Sequence, residues 1–299
     1  MQTRLTELNN CLAPAKLNLF LHVLGRRADG YHLLQSVFQL LDYGDTLHFS
    51  LREDGKIRRT TPLAGVAEVD DLVVRAARLL QSQAPRMGVD IRLEKVLPMG
   101  GGLGGGSSDA ATTLIALNHL WQIGLNRDQL MQIGLKLGAD VPFFLFGRNA
   151  FAEGVGDELR AVGTPKCWYV VIEPGVMVPT PTIFSAHDLT RDTKPVTIAD
   201  FSSSQTSRFG KNDLQAVAVR LYPPIAQALE WLGSYGAARM TGSGACVFCA
   251  IPDEINAEST AHAVVAAARA AFPEQWKVWC AKALMQHPMA QYLIDSVAN

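Results

Sequence analysis

The chain has 299 residues, 48% of them hydrophobic and 18% charged, with a formal net charge of −1. That length allows one large domain or two smaller ones around a sizeable core, and the near-neutral balance argues against a nucleic-acid binder working through a broad basic field. No apolar run reaches about 18 residues, so no spanning helix is expected, and the polar stretch Met1 to Asn10 lacks the apolar core of a signal peptide.

Ala15 to Val23 alternates as a strand should, with Leu17, Leu19, Leu21 and Val23 on one face and Lys16, Asn18, Phe20 and His22 on the other. Arg27 to His32 is a turn cluster, and Leu33 to Leu41 and Thr46 to Leu51 read as two further strands. Asp71 to Gln83 carries helical periodicity, and Val89 to Leu97 is a strand that feeds into a glycine-rich segment. A helix is expected from about Ser108 to Trp121. Another runs from Arg127 to Leu137, with Gly138 as its left-handed cap. Phe151 to Asp157 reads as a turn that ends the first half.

The second half opens on a buried strand, Trp168 to Ile172, followed by a Pro- and Thr-rich stretch and a polar segment, 191–212, expected to be a loop. Two helices flank Pro223-Pro224; then come a strand over Cys246 to Ile251, an Ala-rich helix over Ala257 to Ala271 and a strand over Trp276 to Leu284. That order suggests a ferredoxin-like α+β domain. The boundary is placed at 162/163. Five cysteines, at 11, 167, 246, 249 and 280, show no disulfide framework and fit a reducing cytoplasm. Cys246 to Cys249 has CxxC spacing, but no second pair or nearby His completes a zinc site, so buried thiols are expected.

The run Gly100-Gly101-Gly102-Leu103-Gly104-Gly105-Gly106-Ser107-Ser108 between a strand and a helix is the richest signal. Missing Cβ atoms let amide N–H groups converge on phosphate oxygens, and the positive end of the following helix would face the same anion. Gly100, Gly102 and Gly105 satisfy GxGxxG, yet the helix leads into another helix rather than the second strand a dinucleotide fold needs. Walker A fails too, because no Gly-Lys-Ser/Thr closes the loop. Ser107 and Ser108 could donate hydroxyls or touch magnesium.

The string from Pro98 to Ala111 resembles the phosphate loop of the GHMP kinase superfamily. Pro14 to Leu19 together with Gly25 to His32 resembles the signature of the family within it that phosphorylates 4-diphosphocytidyl-2-C-methyl-D-erythritol, and Gly138 to Phe144 and Thr241 to Cys246 match its remaining blocks. The resemblance implies a two-domain α+β fold, 1–162 like ribosomal protein S5 domain 2 and 163–299 ferredoxin-like. It also implies ATP with Mg²⁺ as cofactors, a cytoplasmic monomer or homodimer, and no nucleic-acid or membrane partner. The reaction implied is phosphorylation of the substrate's tertiary 2-hydroxyl in the non-mevalonate route to isoprenoid precursors.

Read alone, Asp140 could be a helix N-cap and Lys16 a snorkelling strand lysine. The resemblance makes Asp140 the base for the hydroxyl proton and Lys16 its partner, steadying the attacking oxygen or γ-phosphate. Lys95, Pro98 and the loop through Ser108 would hold ATP, with no direct protein ligand to the metal expected and Ser108 as the one candidate. Tyr31 and His32, otherwise a buried aromatic and a capping imidazole, would meet the cytidine: Tyr31 stacking on the base opposite Phe184, His32 and Asn18 hydrogen-bonding, and Thr180 nearby. Gly242-Ser243-Gly244 is either a hairpin lead-in or a lid of N–H groups closing over the substrate diphosphate opposite the first loop. Asp71 and Asp109 depart from the asparagines of relatives, which puts a base contact by Asp71 in doubt and leaves Asp109 as a magnesium-favouring group or a helix cap. The rival readings are a mevalonate, homoserine or diphosphomevalonate enzyme of the same superfamily, a silent nucleotide-binding regulator, and a dinucleotide-dependent oxidoreductase. The Ala28-Asp29-Gly30-Tyr31-His32 turn and the Lys16–Asp140 pair argue against them.

Overall fold

The structure, a computed structural model, describes residues 5–63, 65–203, 209–252 and 255–295. Strands β1 (Glu7–Arg26) and β2 (His32–Arg52) make one long antiparallel hairpin, closed by a turn in which Arg27 N donates to Tyr31 O at 2.7 Å and Gly30 takes φ +91°. The two strands expected between 33 and 51 are therefore one. Gly44 lets β2 continue across the expected break, because it lies so close to β1 that a Cβ would sit 2.0 Å from Ala13 O. The register slips at several points, including between Asn18 and Leu21. Such bulges reset the facing of a strand, so Leu17, Leu19 and Phe20 share one core while Leu21 and Val23 enter another.

Strand β3 (Ile57–Arg59), helix α1 (Leu72–Gln81) and β4 (Gly88–Glu94) follow. Helix α2 (Gly105–Leu120) starts three residues before the expected Ser108, on the left-handed Gly104. It is buried on nearly every side from Ser108 onward, so packing rather than propensity makes the glycine turn helical. Helix α3 (Arg127–Leu135) is set by an Asn126–Gln129 capping box and ends at Lys136. Gly138 is not left-handed, which corrects the expected cap. After α4 (Val141–Phe146), strands β5 (Ala150–Glu153) and β6 (Glu158–Ala161) pair across a turn, so only part of 151–157 is turn.

In the second half, β7 (Cys167–Glu173) precedes α5 (Thr180–Ser185) and α6 (Ile198–Ser203). The segment 191–212 is thus partly helical, anchored by the buried Phe201; its residues 204–208 lie outside the described ones. Helices α7 (Gln215–Leu221) and α8 (Pro223–Gly233), strands β8 (Arg239–Met240) and β9 (Val247–Pro252), helix α9 (Ala257–Ala271) and strand β10 (Lys277–Leu284) complete the chain.

All strands join one ten-stranded sheet with the path β3-β4-β2-β10-β7-β9-β8. Helices α1 to α4 cover the first half around Leu47, Phe49, Leu114, Phe143 and Phe144. In the second half β7 alternates, Val170 and Ile172 facing the core under α7 to α9, Tyr169 and Val171 facing a middle core that includes Leu17, Leu19 and Phe20. The alternation sends the CxxC thiols apart: Cys246 lies in the middle core and Cys249 in the helix-covered one. No helix among the described residues is long and apolar enough to cross a membrane.

Candidate active site

The glycine loop works through its backbone. Gly100, Gly102 and Gly104 all take φ between +71° and +76°, a region costly for residues with a Cβ. A Cβ on Gly102 would lie 2.3 Å from Thr241 O, and one on Gly104 would lie 2.9 Å from the Phe144 ring. Leu103 is the buried pin of the loop, and its carbonyl accepts from Lys16 N at 2.9 Å. The N-terminus of α2 has no side-chain cap, which leaves its first N–H groups facing a cavity of ≈ 430 Å³. Lys95, Pro98, the run from Gly100 to Ser107, Asp71 and Asp109 line that cavity.

Lys95 is held by two carboxylates. Its Nζ contacts Asp45 Oδ2 and lies 2.7 Å from Asp109 Oδ2, while Asp45 Oδ1 accepts from Val96 N and Leu97 N at 2.6 and 2.8 Å. Burial pulls the Lys95 ammonium down, but the two carboxylates outweigh it and leave it above its ordinary value. Burial pushes the Asp109 carboxyl up to about 8, against the pull of Lys95 and with the charge of Asp45 adding to the rise. Asp109 lies inside α2, whose N-cap is Gly104, so it is no helix cap. Asp71 caps α1 through Val73 N at 2.9 Å and sits 2.7 Å from Arg59 Nε, so its carboxylate is engaged within the protein. Ser108 Oγ and Asp109 Oδ1 are buried with no hydrogen-bond partner among the described residues.

A second cavity, ≈ 220 Å³, adjoins the loop through Gly100, Gly102 and Gly104 and holds Lys16, Asn18, Asp140 and Ser243. Lys16 Nζ lies 3.6 Å from Asp140 Oδ2, with the lysine side chain 5% exposed and the aspartate 39%. Lys16 Nζ also sits 5.1 Å above the Phe38 ring centroid and donates to Asn18 Oδ1 at 2.6 Å. Asn18 Nδ2 donates to Ser36 Oγ (2.8 Å), and Ser36 Oγ to Phe20 O (2.6 Å). This chain fixes the Asn18 amide with its oxygen toward the lysine. Asp140 occupies the N-cap position of α4 but makes no capping bond, so its carboxylate is left to face the cavity.

The second glycine turn backs directly onto the first. A Cβ on Gly242 would lie 3.1 Å from Gly102 Cα, Cys246 N donates to Gly101 O at 3.3 Å, and Thr241 Oγ1 receives Asn18 N at 2.9 Å. That corrects the expectation of a lid opposite the first loop. Ser243 Oγ lies 2.7 Å from Thr180 Oγ1, and Gly244 takes φ +91°.

A third and larger cavity, ≈ 740 Å³, shares Asp140 with the second and is lined by Tyr31, His32, Thr180, Phe184 and Ser107. Tyr31 is 66% exposed, which overturns the buried-aromatic reading. The Phe184 ring packs against that of His32, with centroids 4.9 Å apart. His32 Nε2 accepts from Arg191 Nε at 3.1 Å. Burial, then the charges of Arg191 and Arg26, hold this imidazole below its ordinary value. Sequence reading missed Ser36, Phe38, Asp45, Thr241 and Arg191. Asp45 falls in the break expected between two strands, where a carboxylate is ordinary, so nothing in the sequence signalled it.

A backbone-built anion loop that opens a buried helix, with a lysine and a carboxylate across an adjoining cavity, defines a small-molecule kinase. The family model described as GHMP kinases N terminal domain matches residues 71–148, and that of GHMP kinases C terminal matches 198–270. The 4-diphosphocytidyl-2-C-methyl-D-erythritol kinase of Herminiimonas arsenicoxydans is 67% identical over 287 residues, 95% of this chain and 97% of that protein. A crystal structure of 4-(cytidine 5'-diphospho)-2C-methyl-D-erythritol kinase aligns at TM-score 0.76 and 33% identity, covering 93% of this chain and 98% of the other. Homoserine kinase from Cytophaga hutchinsonii, at TM-score 0.68 and 16% identity over 96% of this chain and 97% of its own, shares the fold alone. The chain belongs to the GHMP kinases and, among them, to the 4-diphosphocytidyl-2-C-methyl-D-erythritol kinase family.

Proposed function

We propose that this chain transfers the γ-phosphoryl group of ATP to the 2-hydroxyl of 4-diphosphocytidyl-2-C-methyl-D-erythritol, releasing ADP and the 2-phosphate. The observation that carries it is the Lys16–Asp140 pair in the middle one of three cavities, which shares Gly100, Gly102 and Gly104 with the loop cavity and Asp140 with the larger one. The loop cavity takes the ATP phosphates on N–H groups of Gly100 to Ser108, with Lys95 and Pro98 beside them. The larger cavity takes the cytidyl end between Tyr31 and Phe184, with His32 on the base edge, and Thr180 and the Gly242-Ser243-Gly244 turn take the linking diphosphate. The division into residues 1–162 and 163–299 belongs to this reading, supported by family matches on either side of it.

Phosphoryl transfer needs alignment and charge neutralisation more than covalent help. Asp140 takes the proton from the 2-hydroxyl as its oxygen attacks phosphorus. Lys16, held by Asn18 and Phe38, neutralises charge on the attacking oxygen and the transferring group. Asn18 thereby acts through the lysine in addition to any contact with the acceptor. Ser108 Oγ and Asp109 Oδ1, buried beside the loop and without a hydrogen-bond partner among the described residues, fit a Mg²⁺ ion accompanying the phosphates and would hold it there. When bound, that ion supplies neutralisation of the phosphate oxygens.

The test is ADP release from ATP with 4-diphosphocytidyl-2-C-methyl-D-erythritol, mevalonate and homoserine as separate acceptors. Turnover is expected with the cytidyl acceptor alone. Turnover with only one of the other two would overturn the substrate and leave the kinase class standing.

A further inference from the structure

Arg191 lies outside every motif considered above, on the polar segment after α5, yet its guanidinium organises one end of the cavity lined by Tyr31, His32 and Phe184. Nη2 donates to Phe184 O (2.9 Å) and Ala186 O (2.8 Å), Nη1 to Leu189 O (3.1 Å), and Nε to His32 Nε2 (3.1 Å). One side chain thus ties the stretch after α5 to the strand that carries His32. The chemistry of the last bond is directional. A guanidinium only donates, so the ring nitrogen opposite it must accept, and an imidazole accepting at Nε2 carries its proton on Nδ1. His32 Nδ1 has no partner among the described residues and is not sealed from solvent, and the residue lines the cavity with Tyr31 and Phe184.

We propose that Arg191 is a positioning residue for base recognition: by donating to His32 Nε2 it holds the proton of His32 on Nδ1, so the cavity presents a hydrogen-bond donor matched to a cytosine-type base. Cytosine offers acceptors at O2 and at an unprotonated N3, whereas uracil carries a proton at N3. A donor fixed opposite N3 therefore favours the first base over the second, because uracil there leaves two donors facing each other. The same guanidinium holds the carbonyl of Phe184, whose ring packs on His32, so donor and stacking surface are located by one residue. This inference rests on the cytidyl substrate proposed above.

Two measurements test it on the intact chain. Imidazole ¹⁵N resonances of His32 in the free enzyme should report a proton on Nδ1 and an acceptor at Nε2, and Arg191→Met should convert them to a mixture of tautomers. A proton on Nε2 in the unsubstituted protein, or signals unmoved by Arg191→Met, would overturn the proposal; this readout holds whichever acceptor the enzyme uses. In kinetics, Arg191→Met should raise KM for the cytidyl acceptor about tenfold, leave KM for ATP in place and narrow the preference over the uridyl analogue. An Asn at 32 keeps a donor near the Nδ1 position without needing Arg191. In the His32→Asn background, Arg191→Met should therefore change KM less than about twofold. An equal effect in both backgrounds, as a merely structural arginine would give, would overturn it. Absence of turnover with the cytidyl acceptor in the unsubstituted enzyme would instead sink the substrate reading, leaving the tautomer measurement to judge Arg191.

Discussion

At the nucleotide end of the cleft, consecutive residues from Gly100 to Ser107 line one cavity, backed by Lys95 just past the end of β4. The acceptor end collects Tyr31 and His32 from the tip of the first hairpin, Asp140 from the start of α4 and Phe184 from α5. The first region binds with backbone, so its specificity is for an anion of a certain shape, and a side chain at Gly102 or Gly104 would collide with Thr241 O or the Phe144 ring. The second binds with side chains held from outside, Asn18 by Ser36 and His32 by Arg191, so single substitutions there can alter one property and spare the rest. Lys16 and Asp140 stand where the two meet.

Substitution at that junction should have the largest effect. Asp140→Asn or Lys16→Met is expected to lower kcat at least about 100-fold while ATP still binds, as equilibrium titration with a fluorescent nucleotide would check. Near-normal turnover in both variants would remove the pair from the mechanism. Gly102→Ala attacks the backbone-built region. A methyl at φ +76° aimed at Thr241 O should cost about 3 kcal/mol of folding stability and weaken ATP binding. Denaturant unfolding unchanged by it would mean the two glycine turns do not need their close contact.

Tyr31→Ala tests the side-chain-built region alone. Loss of one stacking face should raise KM for the cytidyl acceptor about tenfold and leave KM for ATP within about twofold; equal shifts in both constants would blur the distinction between the ends. The smallest expected effect concerns Asp109. Its folded-state value, raised to about 8, lies above the unfolded one near 3.9, so its stabilising contribution is complete below about pH 4 and fades as pH rises through 8. Asp109→Asn should therefore match the original Tm in acid and exceed it by about 5 °C near pH 8.5 without nucleotide. A difference in Tm that does not vary with pH would contradict the burial of a titrating carboxylate there.

Contiguity explains what could be read in advance. The glycine run, α2 and α9 announce themselves within a single stretch, and Ala257–Ala271 agrees with its expected bounds. The Lys16 and Asp140 roles were suggested only through resemblance, since each residue alone suits a blander purpose. Asp45, Ser36 and Arg191 stayed hidden because their partners are remote. Asp45 meets Leu97 across 52 positions and Arg191 meets His32 across 159. The start of α2 and the continuity of β2 were misjudged for a related reason: glycines that disfavour regular structure locally are accepted where packing or close strand approach rewards them.

The hairpin of β1 and β2 sets how the cleft can move. Leu8 and Ala13 of β1 belong to the core under α1 to α4, Leu17 and Leu19 to the middle core, and Leu21 and Val23 to the core under α7 to α9. A single strand running through three cores acts as a beam. Swinging one half of the molecule away from the other would have to break its ladder with β2. Engulfing a substrate therefore falls to short segments at the rim, the hairpin tip around Tyr31 and the stretch held by Arg191, while the frame bearing Lys16 and the glycine loop stays rigid. In this enzyme, the residues that align the reacting atoms are those with the least freedom to drift.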